Sequence, residues 1–150
     1  MINSGSDSVR FKNDNFSIGS KGIKQITTGK LISVVDPKDF SKGKQIGLGS
    51  SGSVFSASYK PNGMTVAIKS INIYDKSKRK QFKNDLKVLF ENDCNHLVNF
   101  YGAFFEEGSV KLVLEFMDLG SLDKIICKIK SQQQPCTPEN VLRKMTKDVR

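Results

Sequence analysis

At 150 residues the chain is long enough for one modest core, or for one domain and part of another. Its 37% hydrophobic and 26% charged residues are those of an ordinary globular protein, and no apolar run approaches the ~20 residues that span a bilayer. The net charge of +9 is spread along the whole sequence, as on a solvated surface rather than a reading head, so neither nucleic acid nor membrane is an expected partner.

Three cysteines, Cys94, Cys127 and Cys136, stand at wide spacings without a C-x-x-C, which argues against a disulfide framework or a zinc knuckle. The opening "MINSGSDSVRFKNDNF" lacks the charged-then-apolar layout of a secretory signal, so a reducing, cytoplasmic setting is expected.

Residues 1–38 are rich in Ser, Asn, Gly and Lys and are expected to form a flexible extension, with "GIKQI" and "KLISVV" able to pair as an edge strand. Asp36-Pro37 punctuates the end of this segment. Next, "FSKGKQIGLG" and "SVFSASYK" alternate, Asn62-Gly63 signals a hairpin, and "MTVAIKSINI" is β-branched and apolar, giving three antiparallel strands. "DKSKRKQFKNDLKVLFEN" places Phe82, Leu86 and Leu89 on one helical stripe. Asp85 falls within that stripe, where a core-facing acid needs a partner. Two further strands, "LVNFYGAFF" and "SVKLVLEFM", flank Glu106-Glu107-Gly108. A helix is then capped at Ser121, with Asp123 in its first turn, and another is expected to begin at Thr137-Pro138. The sequence ends inside that last pattern, as a fragment would.

The chemistry concentrates around "IGLGSSGSV". Gly47, Gly49 and Gly52 fit G-x-G-x-x-G, which by itself is weak evidence. A dinucleotide site needs a helix after the loop and an acid about 20 residues on. Here a strand follows, and Lys69 stands at the matching distance. A G-x-x-x-x-G-K-[ST] loop is absent as well. What remains is a glycine hairpin folded over a triphosphate, a lysine on the third strand, and a carboxylate on a neighbouring helix to hold the ammonium. "GLGSSGSV", "VAIK" ending in Lys69, and Asp85 supply all three. The lone histidine, His96, reads as a structural turn residue, because catalysis would also need an orienting acid nearby. "KSKRK" reads as a solvated helix start, and Lys24, Lys30, Ile32 and Val34 faintly echo a basic-plus-apolar docking peptide.

With these motifs the chain resembles the N-terminal lobe of a eukaryotic protein kinase, and more narrowly the MAP kinase kinase family. The narrower resemblance rests on "VAIKSINIYDKSKRKQ", "LVNFYGAFF" and "LEFMDLGSLD", and covers about residues 38–150. "VRFKNDNFSIGSKGIKQI" is similar to a segment that some members carry ahead of the kinase domain. The resemblance implies an α+β fold: a five-stranded antiparallel sheet with one packed helix over residues 39–117, then, over residues 118–150, the first helices of a second lobe. It implies that Ile46 and Val54 sandwich the adenine of ATP, with Ala67 on its face. Leu114 would be the gatekeeper, and Glu115 and Met117 would offer backbone hydrogen bonds to the purine edge. Asp118 and Ser121 would lie near the ribose. Gly47, Leu48, Gly49, Ser50, Ser51, Gly52 and Ser53 would cover the phosphates, with Lys69 and Asp85 as the catalytic pair. It further implies magnesium as cofactor, a downstream MAP kinase phosphorylated on Thr and Tyr, and an upstream activating kinase.

Two departures stand out. The family has Glu where this chain has Asp85, one methylene shorter. The family's H-R-D and D-F-G motifs do not occur in these 150 residues, so no metal ligands are assigned and this chain by itself is not expected to transfer phosphate. The rival readings are a catalytically inactive kinase-like binding module and a basic binding protein without a nucleotide site.

Overall fold

The computed structural model describes residues 4–5, 8–11, 15–49, 52–91, 96–131, 139 and 143–144. The helix expected at Thr137-Pro138 and the residues Cys94, Cys136, Ser50 and Ser51 lie outside the described residues. The chain divides into two compact units, one made of residues 1–93 and 98–116, the other of residues 94–97 and 117–150.

The first unit contains the expected five-stranded antiparallel sheet. Strands β6 (Phe40–Gly49), β7 (Gly52–Tyr59), β8 (Met64–Asn72), β9 (Phe100–Glu106) and β10 (Ser109–Glu115) lie in the order β6-β7-β8-β10-β9. Local turn chemistry sets two of its connections. Between β7 and β8 the chain turns at residues 60–63, where Gly63 takes φ +72° and Asn62 Oδ1 accepts from the Met64 amide. Between β9 and β10, Glu107 and Gly108 both adopt positive φ, 48° and 72°, as a two-residue hairpin matched to strand twist requires.

Helix α1 (Lys76–Glu91) packs on β8. Asp75 starts it: its carboxylate accepts from the Ser77 hydroxyl and from the Ser77 and Lys78 amides, satisfying donors that the first turn leaves open. These bonds hold the Asp75 carboxyl below its usual range. Phe82 and Leu86 of the predicted stripe are buried. They join Ile71, Ile73, Ala103, Phe105, Val110 and Leu112 in one cluster. Val66, Ile68, Ala57, Phe104 and Val113 form a second cluster with Val35. In β8, Val66 and Ile68 lie on one face and Ile71 on the other, as even and odd positions of a strand must.

The amino-terminal region differs from expectation. Where a flexible extension is anticipated, the described residues form a second five-stranded sheet: β1 (Ser4–Gly5), β2 (Ser8–Phe11), β3 (Phe16–Gly19), β4 (Gly22–Gln25) and β5 (Leu31–Val34), antiparallel and in chain order. "GIKQI" and "KLISVV" do pair, but with each other, within this sheet. The physical reason is a row of apolar partners across the strands. Val9 faces Ile18 and Ile18 faces Ile23, while Phe11 faces Phe16 in the next row. Val9, Ile18 and Ile23 are fully buried, and with Phe11 they belong to the same cluster as α1's Phe82 and Leu86. Strands β3, β4 and β5 all contact β9. There the Ser33 hydroxyl donates to the Tyr101 carbonyl at 3.1 Å. Gly102 makes this approach possible: its φ is +152°, and a Cβ there would collide with Ser33 and Val35.

The second unit contributes α2 (Leu122–Ser131) among its described residues. Ser121 caps it, its hydroxyl accepting from the Lys124 amide at 3.4 Å.

Candidate functional site

The glycine stretch forms a hairpin between β6 and β7. Gly47 pairs with Val54, Leu48 with Ser53, and Gly49 with Gly52. Its three glycines are not equivalent. Gly52 has φ +149°, and a Cβ would meet the Ser70 carbonyl of β8, so the fold itself demands glycine there. A Cβ on Gly47 would make ordinary contact with Val54. A Cβ on Gly49 would meet nothing within 4 Å among the described residues, so no contact among them requires that glycine. An open glycine at a hairpin tip leaves room for a bulky anion to approach the backbone. Leu48, beside it, is 78% exposed.

Register sets Lys69 beside the second strand of this hairpin, and α1 brings Asp85 to it. Lys69 of β8 faces Val54 on one side and Leu112 on the other, and Ala67 faces Leu114. Ala67 and Lys69 therefore share a strand face, with Val54 and Leu114 beside them. Lys69 Nζ donates to Asp85 Oδ2 of α1 at 2.8 Å, with side-chain exposures of 20% and 31%. This is a short, charge-assisted bond in a half-buried setting. Asp85 reaches the lysine despite its short arm. Ile46, Gly47 and Val54 are half-buried, and Ala67 is buried.

The remaining predicted residues divide differently. Glu115 ends β10, and its carboxylate accepts from both the backbone and side-chain amides of Asn99, each at 3.1 Å. Its own N–H donates to the Asn99 carbonyl, so its side chain is structural. Met117, Asp118 and Ser121 belong to the second unit, where Met117 is 57% exposed and Ser121 serves as the helix cap. Ser50 and Ser51 lie outside the described residues. His96 is exposed in a turn.

The opposite face of the sheet carries two cavities. One, of about 360 Å³, is lined by Val34, Phe40, Val66 and Val113 among others. The other, of about 250 Å³, holds Lys42, Phe55, Ser70 and Lys111. Lys42 stands 4.1 Å above the Phe55 ring. Lys111 bonds to the Ser70 hydroxyl at 2.8 Å, and burial pulls its pKa below the usual lysine range.

Sequence reasoning missed the residues that join the amino-terminal sheet to α1, Phe11 above all. The signal was the alternation of Val9 and Phe11 in "SVRF", masked by polar and glycine-rich neighbours.

Comparison with known proteins agrees with this geometry. The sequence pattern of the family described as protein tyrosine and serine/threonine kinase matches residues 40–149. The chain is 32% identical over 126 residues to Protein kinase wis1 of Schizosaccharomyces pombe, covering 83% of this chain and 20% of that protein, and so spans about a fifth of its length. The family match begins at the first strand of the sheet that carries the glycine hairpin and runs through the lysine and its helix-borne acid. This chain belongs to the protein tyrosine and serine/threonine kinase family.

Proposed function

We infer that these residues form the ATP-binding part of a dual-specificity protein kinase of the MAP kinase kinase type. In this reading residues 39–117 form the nucleotide lobe and residues 118–150 the exit towards a helical lobe. The observation that carries it is the Lys69–Asp85 contact on the sheet face beside the glycine hairpin. The narrower assignment draws on the motifs "LEFMDLGSLD" and "VAIKSINIYDKSKRKQ".

The residues present fit a nucleotide. Gly49 leaves its backbone open, and the Lys69 ammonium is held at a fixed height by an acid that is itself half-buried. The amides from Gly47 to Ser53, including Ser50 and Ser51, would take the phosphates. Ile46, Val54, Ala67 and Leu114 would offer the purine an apolar setting, Glu115 and Met117 their backbone polar groups, and Ser121 a hydroxyl near the ribose. Lys69 would neutralise charge on the α and β phosphates, and Asp85 would keep it from swinging away. ATP would supply the phosphoryl group, and magnesium would offset the negative charge of the phosphates. In the longer protein, an upstream kinase would control this lobe and a MAP kinase would receive phosphate on Thr and Tyr.

A thermal-shift titration with Mg-ATP tests the site. Binding to the native state alone stabilises by about 2.7 kcal/mol at a hundredfold excess over Kd. A saturable rise in Tm that Lys69→Met abolishes is the expected result, and a flat titration would remove the reading. The longer polypeptide containing these residues, mixed with a MAP kinase, should phosphorylate both Thr and Tyr. Phosphorylation of Ser/Thr alone would keep the kinase and discard the dual specificity.

A further inference from the structure

An Asp in place of Glu shortens the arm by one C–C bond, about 1.5 Å. The Lys69–Asp85 bond is nevertheless 2.8 Å long. Such a bond is lost near 3.5 Å, so the helix has less than about 1 Å of slack. A displacement of about 1–2 Å, the size of helix shifts at subunit interfaces in switching proteins, would be enough to part this pair. Something must therefore keep α1 in place more tightly than a longer acid would require.

The two residues that flank Asp85 on its stripe show what does. Phe82 is fully buried and Leu86 is 2% exposed. Both belong to the cluster that contains Val9, Phe11, Ile18 and Ile23 of the amino-terminal sheet. Phe11 makes the direct contact. Its ring lies 5.5 Å from the Phe82 ring, and it stacks on its cross-strand partner Phe16 at 4.8 Å. Three rings thus run from β3 through β2 to the helix, one turn before the acid. The sheet that presents them is anchored on β9, where Ser33 bonds to Tyr101 against Gly102.

We propose that the amino-terminal sheet is a brace for α1, and that Phe11 is a positioning residue that holds the short Asp85 carboxylate within reach of Lys69. The proposal rests on the nucleotide-site reading only for its functional consequence; the ion pair and the brace can be measured without nucleotide. With the brace intact, Lys69 is paired and presented to the hairpin. With it loosened, α1 recedes by a fraction of a helical turn and the lysine is released.

The test uses the full 150-residue chain. The rate at which a water-soluble N-hydroxysuccinimide acetate modifies Lys69 is read by peptide mass spectrometry, relative to the exposed Lys44 in the same sample. Mg-ATP affinity is read in parallel. Phe11→Leu, which keeps an apolar side chain in place, should accelerate Lys69 modification several-fold and weaken Mg-ATP binding by a similar factor. In the Asp85→Glu background, where the longer arm tolerates a displaced helix, Phe11→Leu should change neither. Phe16→Leu slackens the ring stack without altering Phe11 itself, and gives a smaller step in the same direction. Unchanged Lys69 reactivity in Phe11→Leu, or the same change in both backgrounds, would overturn the brace, because a merely structural role would not depend on the length of the acid. If the modification rates follow the expected pattern and no version of the chain binds Mg-ATP, the brace stands and the nucleotide reading falls.

Discussion

The two sheets of the first unit reach the same strand count by different physical routes. The larger one has strands of seven to ten residues and clusters of buried side chains on both faces. The smaller one has strands of two to four residues, and its buried side chains enter a cluster that also includes α1, β8, β9 and β10. Among the described residues it has no separate core of its own. Strands this short, with so few apolar side chains, are not stable in water by themselves, so this sheet folds on the larger one rather than beside it. A segment can therefore be ordered without carrying the composition of an ordered domain, provided that another element supplies the other half of its core.

That dependence can be broken most severely at the centre of the row. Ile18→Ala should destabilise the whole unit by about 2–5 kcal/mol, in a single urea transition shared by both sheets. Two transitions, with only the first displaced, would mean that the smaller sheet melts independently and the shared core is not cooperative. Gly102→Ala strikes the junction instead. It forces a side chain onto Ser33 and Val35 at a φ that disfavours one, and should cost about 1–3 kcal/mol. Amide exchange should then rise in β5 and β9 before it rises in β7. Ser33→Ala removes only the hydroxyl bond to Tyr101 and should cost about 0.5–1.5 kcal/mol, towards the lower end because the bond is partly exposed.

The same contrast explains what was legible. The larger sheet announces itself because each hairpin brings its own turn residues, Asn62-Gly63 and Glu107-Gly108, between alternating runs. The ion pair was legible for a related reason: Lys69 lies on a strand of period two and Asp85 on a stripe of period three to four, so each orientation follows from its neighbours. The smaller sheet has short strands with few large apolar residues, none in β1 and three in β5, among Ser, Gly, Lys and other polar residues, and the partners of its buried side chains are some fifty to a hundred residues away in sequence. No local window contains both halves. Glu115 was readable as a strand residue, but the strand's end at that position and the engagement of its carboxylate with Asn99 depend on where residue 99 returns to the sheet. Gly52 and Gly49 look alike in the motif, and only the position of Ser70 separates a glycine the fold requires from one it does not. Gly49→Ala should therefore leave stability within about 0.5 kcal/mol while weakening Mg-ATP binding. A loss of stability matching that of Gly52→Ala would return Gly49 to a purely structural role.

The smallest effect lies on the outer face of the larger sheet, at Lys111. Burial is the main cause of its lowered pKa, and the Lys42 charge acts in the same direction, while Glu106 and Glu107 oppose it. In the folded protein the ammonium therefore loses its proton at a pH below its ordinary 10.5. Between these two values the unfolded chain binds more protons, so stability rises with pH across that window and lies at its lower level beneath it. Other lysines titrate nearby, so the informative quantity is the difference between the parent and Lys111→Met. At neutral pH the variant should be slightly the more stable, because a half-buried charge is gone. That advantage should shrink as pH climbs towards 10.5. Melting curves of the two proteins over this range measure it, and a difference independent of pH would mean that the amine is no less at ease folded than unfolded. Amide exchange in β2 and β3 should not respond to the substitution, because Lys111 lines a cavity on the face that includes Ile68 and Phe104, whereas Val9, Phe11 and Ile18 pack into the other cluster.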